Sequence, residues 1–173
     1  MLRIDAILKD PFFEDYINRN NISEVHRKFC RHSFQHLVDV ARITYILMLE
    51  SGDITEFAEK NELNLKSARE LVYASALLHD IGRWKEYETG EDHSIVSAEL
   101  ALNILNNAGF NEQETLIITT GIKEHRSRSD NKSILGKCLY KADKLSRLCS
   151  ECEASGECYK YQEMETGRNK LVY

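Results

Sequence analysis

Residues 68–83 read Ala-Arg-Glu-Leu-Val-Tyr-Ala-Ser-Ala-Leu-Leu-His-Asp-Ile-Gly-Arg, and this stretch decides the fold. Ala68, Leu71, Val72, Ser75 and Leu78 recur every three or four residues, the period of a helix buried along one face. Asn64 supplies a cap at its start and Gly82 a stop just past its end, after His79. The same period continues in both directions. Upstream, a central helix is expected over 25–50, with Phe34, Leu37, Val38, Ala41, Tyr45 and Met48 on one stripe. His36, Val40, Ile43 and Leu47 form a second stripe, so that helix is expected to be buried on most sides. Gly52 and Asp53 end it and open a short helix over 54–61, while residues 1–20 form a helical preamble around Phe12, Phe13, Tyr16 and Ile17. Downstream, a polar loop over 83–92 leads to a helix over 93–107. Asn111 with Glu114 has the form of a capping box opening a helix to Glu124, and a last helix spans 132–148. No stretch reads as a strand. One proline and eight glycines in 173 residues are too few to punctuate a sandwich or barrel, so the expected class is all-α.

The net charge of −5 makes the chain a poor partner for a nucleic-acid backbone. The average hides a contrast. Residues 123–147 carry eight basic side chains against three acids, so that segment is +5 and the remainder −10. A local positive field in an acidic chain suits a small anionic ligand. The N-terminal sequence has acids interspersed and no apolar run of signal-peptide type, and no stretch approaches the ~18 apolar residues of a membrane span. Five cysteines, an odd number, fit a reducing compartment, and a cytoplasmic location is expected.

His36 lies on a buried stripe, His79 and Asp80 follow an apolar run, His93 begins a helix, His125 ends one, and Asp143 sits among lysines. A carboxylate next to a sequence as apolar as Ala-Ser-Ala-Leu-Leu is costly unless paired or bound to a cation. Imidazole and carboxylate together are the ligand set of Zn, Mn, Fe, Co or Ni. The C-terminal end of a helix, with its partial negative charge, favours a cation beside His79 and Asp80. Taken singly, each residue also has an ordinary structural role open to it, as a core histidine, an exposed helix end or a salt-bridge partner.

Their order resembles the HD-domain superfamily of metal-dependent phosphohydrolases: HLVDVARI with His36, ALLHDIGRW with His79 and Asp80, and YKADKLS with Asp143, together covering about residues 30–148. His93 in DHSIVSAELA and His125 in IKEHR match accessory histidines, and the set looks most like the dinuclear group that splits diadenosine polyphosphates. Ser97 stands where a glycine is common, and Glu124 and the lack of a GYP sequence depart from the cyclic-di-GMP branch. The resemblance implies an HD-domain-like helical bundle over 25–148, with 1–24 as an N-terminal helical extension and 149–173 as a Cys-containing tail packed on it. It implies one or two divalent transition metals, the first on His36, His79, Asp80 and Asp143 and the second on His93 and His125 with Asp80 shared. The implied activity is hydrolysis of a small phosphorylated metabolite or nucleotide by metal-activated water, with Asp80 and Arg83 as catalytic residues. Arg83, Lys144, Arg147 and His32 are the candidate substrate contacts. The other expectation carried forward is a catalytically silent module that binds nucleotide or metal as a sensor.

Cys149, Cys152 and Cys158 follow a C-x2-C-x5-C pattern. Closed structural zinc needs four ligands, and Cys30 is the candidate fourth, with Cys138 read as core. An iron–sulfur cluster and three free thiols in a loose tail are the other readings.

Overall fold

The computed structural model describes residues 1–169 and 172–173, and among them every regular element is helical. In chain order these are α1 (Leu2–Leu8), α2 (Pro11–Ser23), α3 (Phe34–Glu50), α4 (Asp53–Lys60), α5 (Leu65–Leu78), α6 (Arg83–Thr89), α7 (His93–Asn107), α8 (Glu112–Glu124), α9 (Ile134–Leu145) and α10 (Glu165–Arg168). Three single turns of 3-10 helix, Cys149–Glu151, Ser155–Glu157 and Tyr161–Glu163, lie between α9 and α10. Lys170 and Leu171, part of the expected tail, lie outside the described residues.

Local sequence explains most helix starts. Asp10, Ser33, Asn64, Asp92, Asn111 and Ser133 each accept a backbone N–H in the first turn of α2, α3, α5, α7, α8 and α9. At α8 both halves of the expected capping box form. The most enclosed helix is α5, with Ala68, Leu71, Val72 and the run 74–78 all buried. It packs against α3 and α8, and α9 closes the group against α3 and α8. Leu37 and Met48 of α3, Leu71 and Leu78 of α5, and Ile118 and Ile122 of α8 share one apolar core. Burying side chains of this size contributes roughly 1.5–3 kcal/mol each before the entropy of ordering them is subtracted.

Four expectations need correction. The helix expected from residue 25 begins at Phe34, because the Ser33 side chain caps it and the buried carboxylate of Glu24 binds the backbone N–H and ring of His32. It also buries one wide face only, leaving Phe34, Ile46 and Leu49 exposed. The loop expected over 83–92 contains α6, a helix with no buried residue, supported by an Arg83–Glu86 pair one turn apart and ended by Gly90 at φ 79°. Gly82 is needed for space and not for a left-handed stop. Its φ is −95°, and a Cβ there would stand 2.8 Å from both the Ser97 backbone nitrogen and Val96 Cγ1. Ser97, the departure noted in the sequence, uses its hydroxyl to accept the Gly82 N–H at 2.9 Å.

The N-terminal helices are fastened to this body by polar contacts. Arg3 of α1 binds Glu70 of α5 at 2.7 Å and Glu114 of α8 at 2.6 Å, and stacks on Phe110. Asn20 of α2 is fully buried; its amide donates to the Asp80 carbonyl at 2.9 Å and its oxygen accepts the Trp84 N–H at 2.8 Å. One side chain thus holds the turn that carries Asp80. Replacing Asn20 by Ala leaves both backbone groups buried and unpaired, so a loss of about 2–4 kcal/mol is expected in urea unfolding, and Asn20→Asp, which sets a buried carboxylate against the Asp80 carbonyl, should lose at least as much.

Candidate metal centre

Six residues from five helices and their ends meet at one buried point. His36 comes from the first turn of α3, His79 from the end of α5, Asp80 from the turn after it, His93 from the start of α7, His125 from the end of α8, and Asp143 from α9. They form two adjoining sets, His36–His79–Asp80–Asp143 and Asp80–His93–His125, in each of which the ligand atoms lie within 4.8 Å of one another. Asp80 belongs to both and faces them with different oxygens. Its Oδ2 is 3.2 Å from His79 Nε2 and 3.6 Å from His36 Nε2, while its Oδ1 is 3.1 Å from His93 Nε2 and 3.8 Å from His125 Nε2. Asp143 Oδ1 lies 3.2 Å from His36 Nε2 and 3.9 Å from His79 Nε2.

The outer ring nitrogens fix the tautomers. His79 Nδ1 meets the Ala76 carbonyl and His125 Nδ1 the Ile122 carbonyl, each three residues back along its own helix. A carbonyl only accepts, so both Nδ1 atoms carry a proton and both Nε2 atoms face inward. Ser146 Oγ donates to the Asp143 carbonyl at 2.8 Å, leaving it to accept His36 Nδ1–H at 3.1 Å. His93 Nδ1 donates to the Glu86 carboxylate. Anchoring the outer nitrogen while the inner one faces a shared point is the arrangement by which histidines are oriented toward a metal.

This geometry passes the test of fit for a cation. His79 Nε2 is buried without an aligned hydrogen-bond partner, and His93 Nε2 and His125 Nε2 face each other at 3.2 Å. Two lone pairs so placed repel unless a proton or a cation lies with them. Burial opposes charge on His79, but Asp80 and Asp143 outweigh it and push its pKa up to about 10. Both carboxyls are in turn held well below the usual range: although burial opposes this, His79 outweighs it for Asp80, and Arg147 does so for Asp143. A cluster that holds a proton this firmly is one that attracts positive charge.

The remaining candidates divide. Arg147 donates to Asp143 Oδ1 at 2.9 Å and reaches His36 Nε2 at 3.0 Å. Arg83 donates to Glu86 Oε2 at 2.7 Å and so stands beside His93. His32 lies 3.7 Å from Asp80 Oδ2, anchored through Nδ1 to Glu24, which also accepts the Tyr87 hydroxyl at 2.7 Å. Lys144 does not join them; it is exposed, with its Nζ 3.2 Å from the Tyr140 ring centre, where Lys132 also sits. The basic segment therefore reaches the cluster through Arg126 and Arg147, because Arg126 donates to Glu86 Oε1 at 2.7 Å. Glu86, Glu24, Ser146 and Asn20 are the residues sequence reasoning missed. Glu86 had one legible signal, its position three residues after Arg83. The others act across 60 or more residues or through a loop, as in the 110-residue separation of Ser146 from His36.

Cys30, Cys149, Cys152 and Cys158 line one cavity of about 280 Å³ next to His36 and Arg147. Burial and the neighbouring thiols of Cys30, Cys158 and Cys152 raise the pKa of Cys149. Cys138 is elsewhere, buried in α9 near Asp53.

The fold and site define an all-helical protein in which two adjoining sets of residues could hold metal ions, and comparison with known proteins gives it a family. The HD domain model matches residues 33–148, and the chain belongs to that family. It is 39% identical over 158 residues to an uncharacterized protein of Clostridium beijerinckii, covering 91% of this chain and 92% of that one. It is 34% identical over 98 residues to a bifunctional uridylyltransferase/uridylyl-removing enzyme of a Bradyrhizobium species, covering 55% of this chain but only 10% of the relative. Among solved structures it resembles that of a predicted HD superfamily hydrolase from an uncultured Thermotogales bacterium, with a TM-score of 0.51 and 25% identity over 98% of this chain and 88% of the other. No helix among the described residues is long and apolar enough to cross a membrane.

The buried histidines give the metal-free protein a defined pH response. Burial lowers His32 and His125 to about 4, so the unfolded chain takes up protons that the folded chain refuses. Their contribution to stability is complete above about pH 6.5 and is lost as pH falls toward 4. His79, raised to about 10, contributes in the opposite sense: fully below about pH 6.5, and progressively less as pH climbs through 10. Chelator-treated protein is therefore expected to show its highest melting temperature between these limits, with losses on both sides. A melting temperature flat from pH 4 to 6.5 would contradict the assignment of His32 and His125 as buried and neutral.

Proposed function

We propose that this chain is a metal-dependent phosphohydrolase acting on a small phosphorylated metabolite or nucleotide, and that dinucleoside polyphosphates are its best substrates. The observation that carries the reading is Asp80, one buried carboxylate offered to two adjoining sets of imidazoles. His36, His79, Asp80 and Asp143 would hold one divalent transition metal, from among Fe, Mn, Co, Ni and Zn, and Asp80, His93 and His125 a second. Such ions supply a water acidic enough to attack at neutral pH and a clamp on phosphoryl oxygens.

The protein's own groups do the rest. Guanidinium groups stand at both ends of the cluster, Arg147 at the His36–Asp143 end and Arg83 with Arg126 at the His93 end. Each is already paired with a carboxylate, which orients its planar fork and leaves further donors for phosphate oxygens. Arg147 also reaches the inner nitrogen of His36, so a His36 engaged as a ligand frees that N–H for substrate. Asp143 is the most open of the six, with its side chain 27% exposed against 6% or less for the others, and its end of the cluster is where substrate enters. Relatives named for uridylyl removal support a nucleotidyl group as substrate, although this chain matches only a small part of them.

The test is turnover across nucleotides, dinucleoside polyphosphates and sugar phosphates with each of the five metals added in turn. Activity is expected with at least one metal and is expected to vanish in the His79→Ala, Asp80→Ala double variant. No turnover on any substrate with any metal would sink the enzyme reading in favour of a silent sensor. Arg147→Met should retain the metals and raise KM by about 10–100-fold, the loss of one to two charge-assisted hydrogen bonds. An unchanged KM would remove Arg147 from the substrate site.

A further inference from the structure

We infer that Cys30, Cys149, Cys152 and Cys158 hold an iron–sulfur cluster of the four-iron type, which fastens the C-terminal tail to the loop preceding α3. Cys30 and the other three are separated by 119 residues or more in the chain, yet all four line one cavity, and none is paired in a disulfide. The fifth cysteine, Cys138, is not among them.

The size of the shared cavity points to a large occupant. A single zinc ion with bonds of about 2.3 Å draws four thiolates to within about 4 Å of one another. Here no three of the cysteine sulfurs lie mutually within 4.8 Å, although the histidine and aspartate sets meet that condition without any ion. Each sulfur of a four-iron cluster binds a different corner of the cube, so the ligands stand farther apart around a volume that must be empty of protein. The four cysteines share the wall of a cavity of about 280 Å³, which has room for such a cluster. Arg31 and Arg147 line the same cavity and offset the negative charge of a thiolate-bound cluster.

The tail itself needs such a fastening. Between Cys149 and Glu163 its regular structure is three isolated turns of 3-10 helix, and among the described residues from 149 onward only Cys149, Ala154 and Thr166 are buried, all of them small. Side chains of that size provide little hydrophobic stabilisation. An exposed Lys28–Glu157 pair also joins the tail to the loop, and such a pair is worth at most ~1 kcal/mol. Cys30 is held in place from the loop side by Arg27, whose Nε donates to its carbonyl at 2.8 Å. A cluster bound by all four cysteines would lock the cavity wall next to His36 and Arg147.

The test is made on full-length protein purified without oxygen. About four iron and four acid-labile sulfide per chain are expected, with the broad visible absorption of thiolate-bound iron. Iron at the histidine cluster is distinguished by the His79→Ala, Asp80→Ala variant, which should keep all the sulfide and the visible band. Cys149→Ser and Cys30→Ser should lose both, and their tails should be cleaved between residues 149 and 169 by a protease that leaves the wild-type tail intact. Absence of labile sulfide from the wild-type protein overturns the inference, whether its thiols are then found free, oxidised to disulfides or on zinc. Because the sulfide assay does not depend on turnover, its result stands apart from the phosphohydrolase reading.

Discussion

The constraint on which the molecule turns is the burial of Asp80. A carboxylate 2% exposed, beside the apolar run that ends α5, carries a desolvation cost that packing cannot repay. It is tolerated because five imidazoles, including that of His32, surround it at 3.1–3.8 Å. Each of those imidazoles must then be oriented, and the architecture supplies a separate device for each. The cluster is therefore the reason for the helix arrangement as much as its result. Asn20, Ser146, Glu24 and Glu86 are conditions for it, although none belongs to either set of candidate metal ligands.

Two of those devices are the same device. His79 and His125 are both the residue that ends a helix, and each bonds back to a carbonyl of its own last turn. The chain ends α5 and α8 at the cluster with their negative poles toward it. Carbonyls of the last helical turn hold the rings in the tautomer that presents Nε2 inward. Helix termination and ligand orientation are thereby one feature of the backbone. The close approach of Gly82 to Ser97 belongs with it, since only a residue without Cβ lets the turn after Asp80 settle against α7.

The electrostatics are layered. Inside lie carboxylates and neutral-capable imidazoles; around them lies a ring of charge of both signs, Glu24 and Glu86 with Arg83, Arg126 and Arg147. Hydrogen bonds from His32 and Tyr87 take Glu24 down to about 2 against the opposing effect of burial, so it stays ionised at any physiological pH. The +5 segment contributes only part of its charge to this ring, because Lys132 and Lys144 are spent on the face of Tyr140. Its overall charge marked the right region of the chain, while the side chains that act were chosen by helix phase.

The sequence alone determined the helical class, most helix boundaries and the identity of the six residues that meet. Periodicity and capping are local, and the order of His36, His79–Asp80 and Asp143 is legible along the chain. Tertiary structure decided what periodicity cannot encode. It split the six candidate ligands into two sets sharing Asp80, because a carboxylate has two oxygens and α3 and the end of α5 approach one while α7 and α8 approach the other. It turned the polar stretch after Gly82 into α6, a helix without an apolar face, so that Glu86 could reach His93. It also turned Lys144 away, one residue past Asp143, since a helix rotates successive side chains by about 100°, while Ser146 and Arg147, about a full turn on, return to the cluster. And it gathered four cysteines whose pattern was visible but whose separation was not, because the distance between sulfurs exists only once the tail has folded back on the loop before α3.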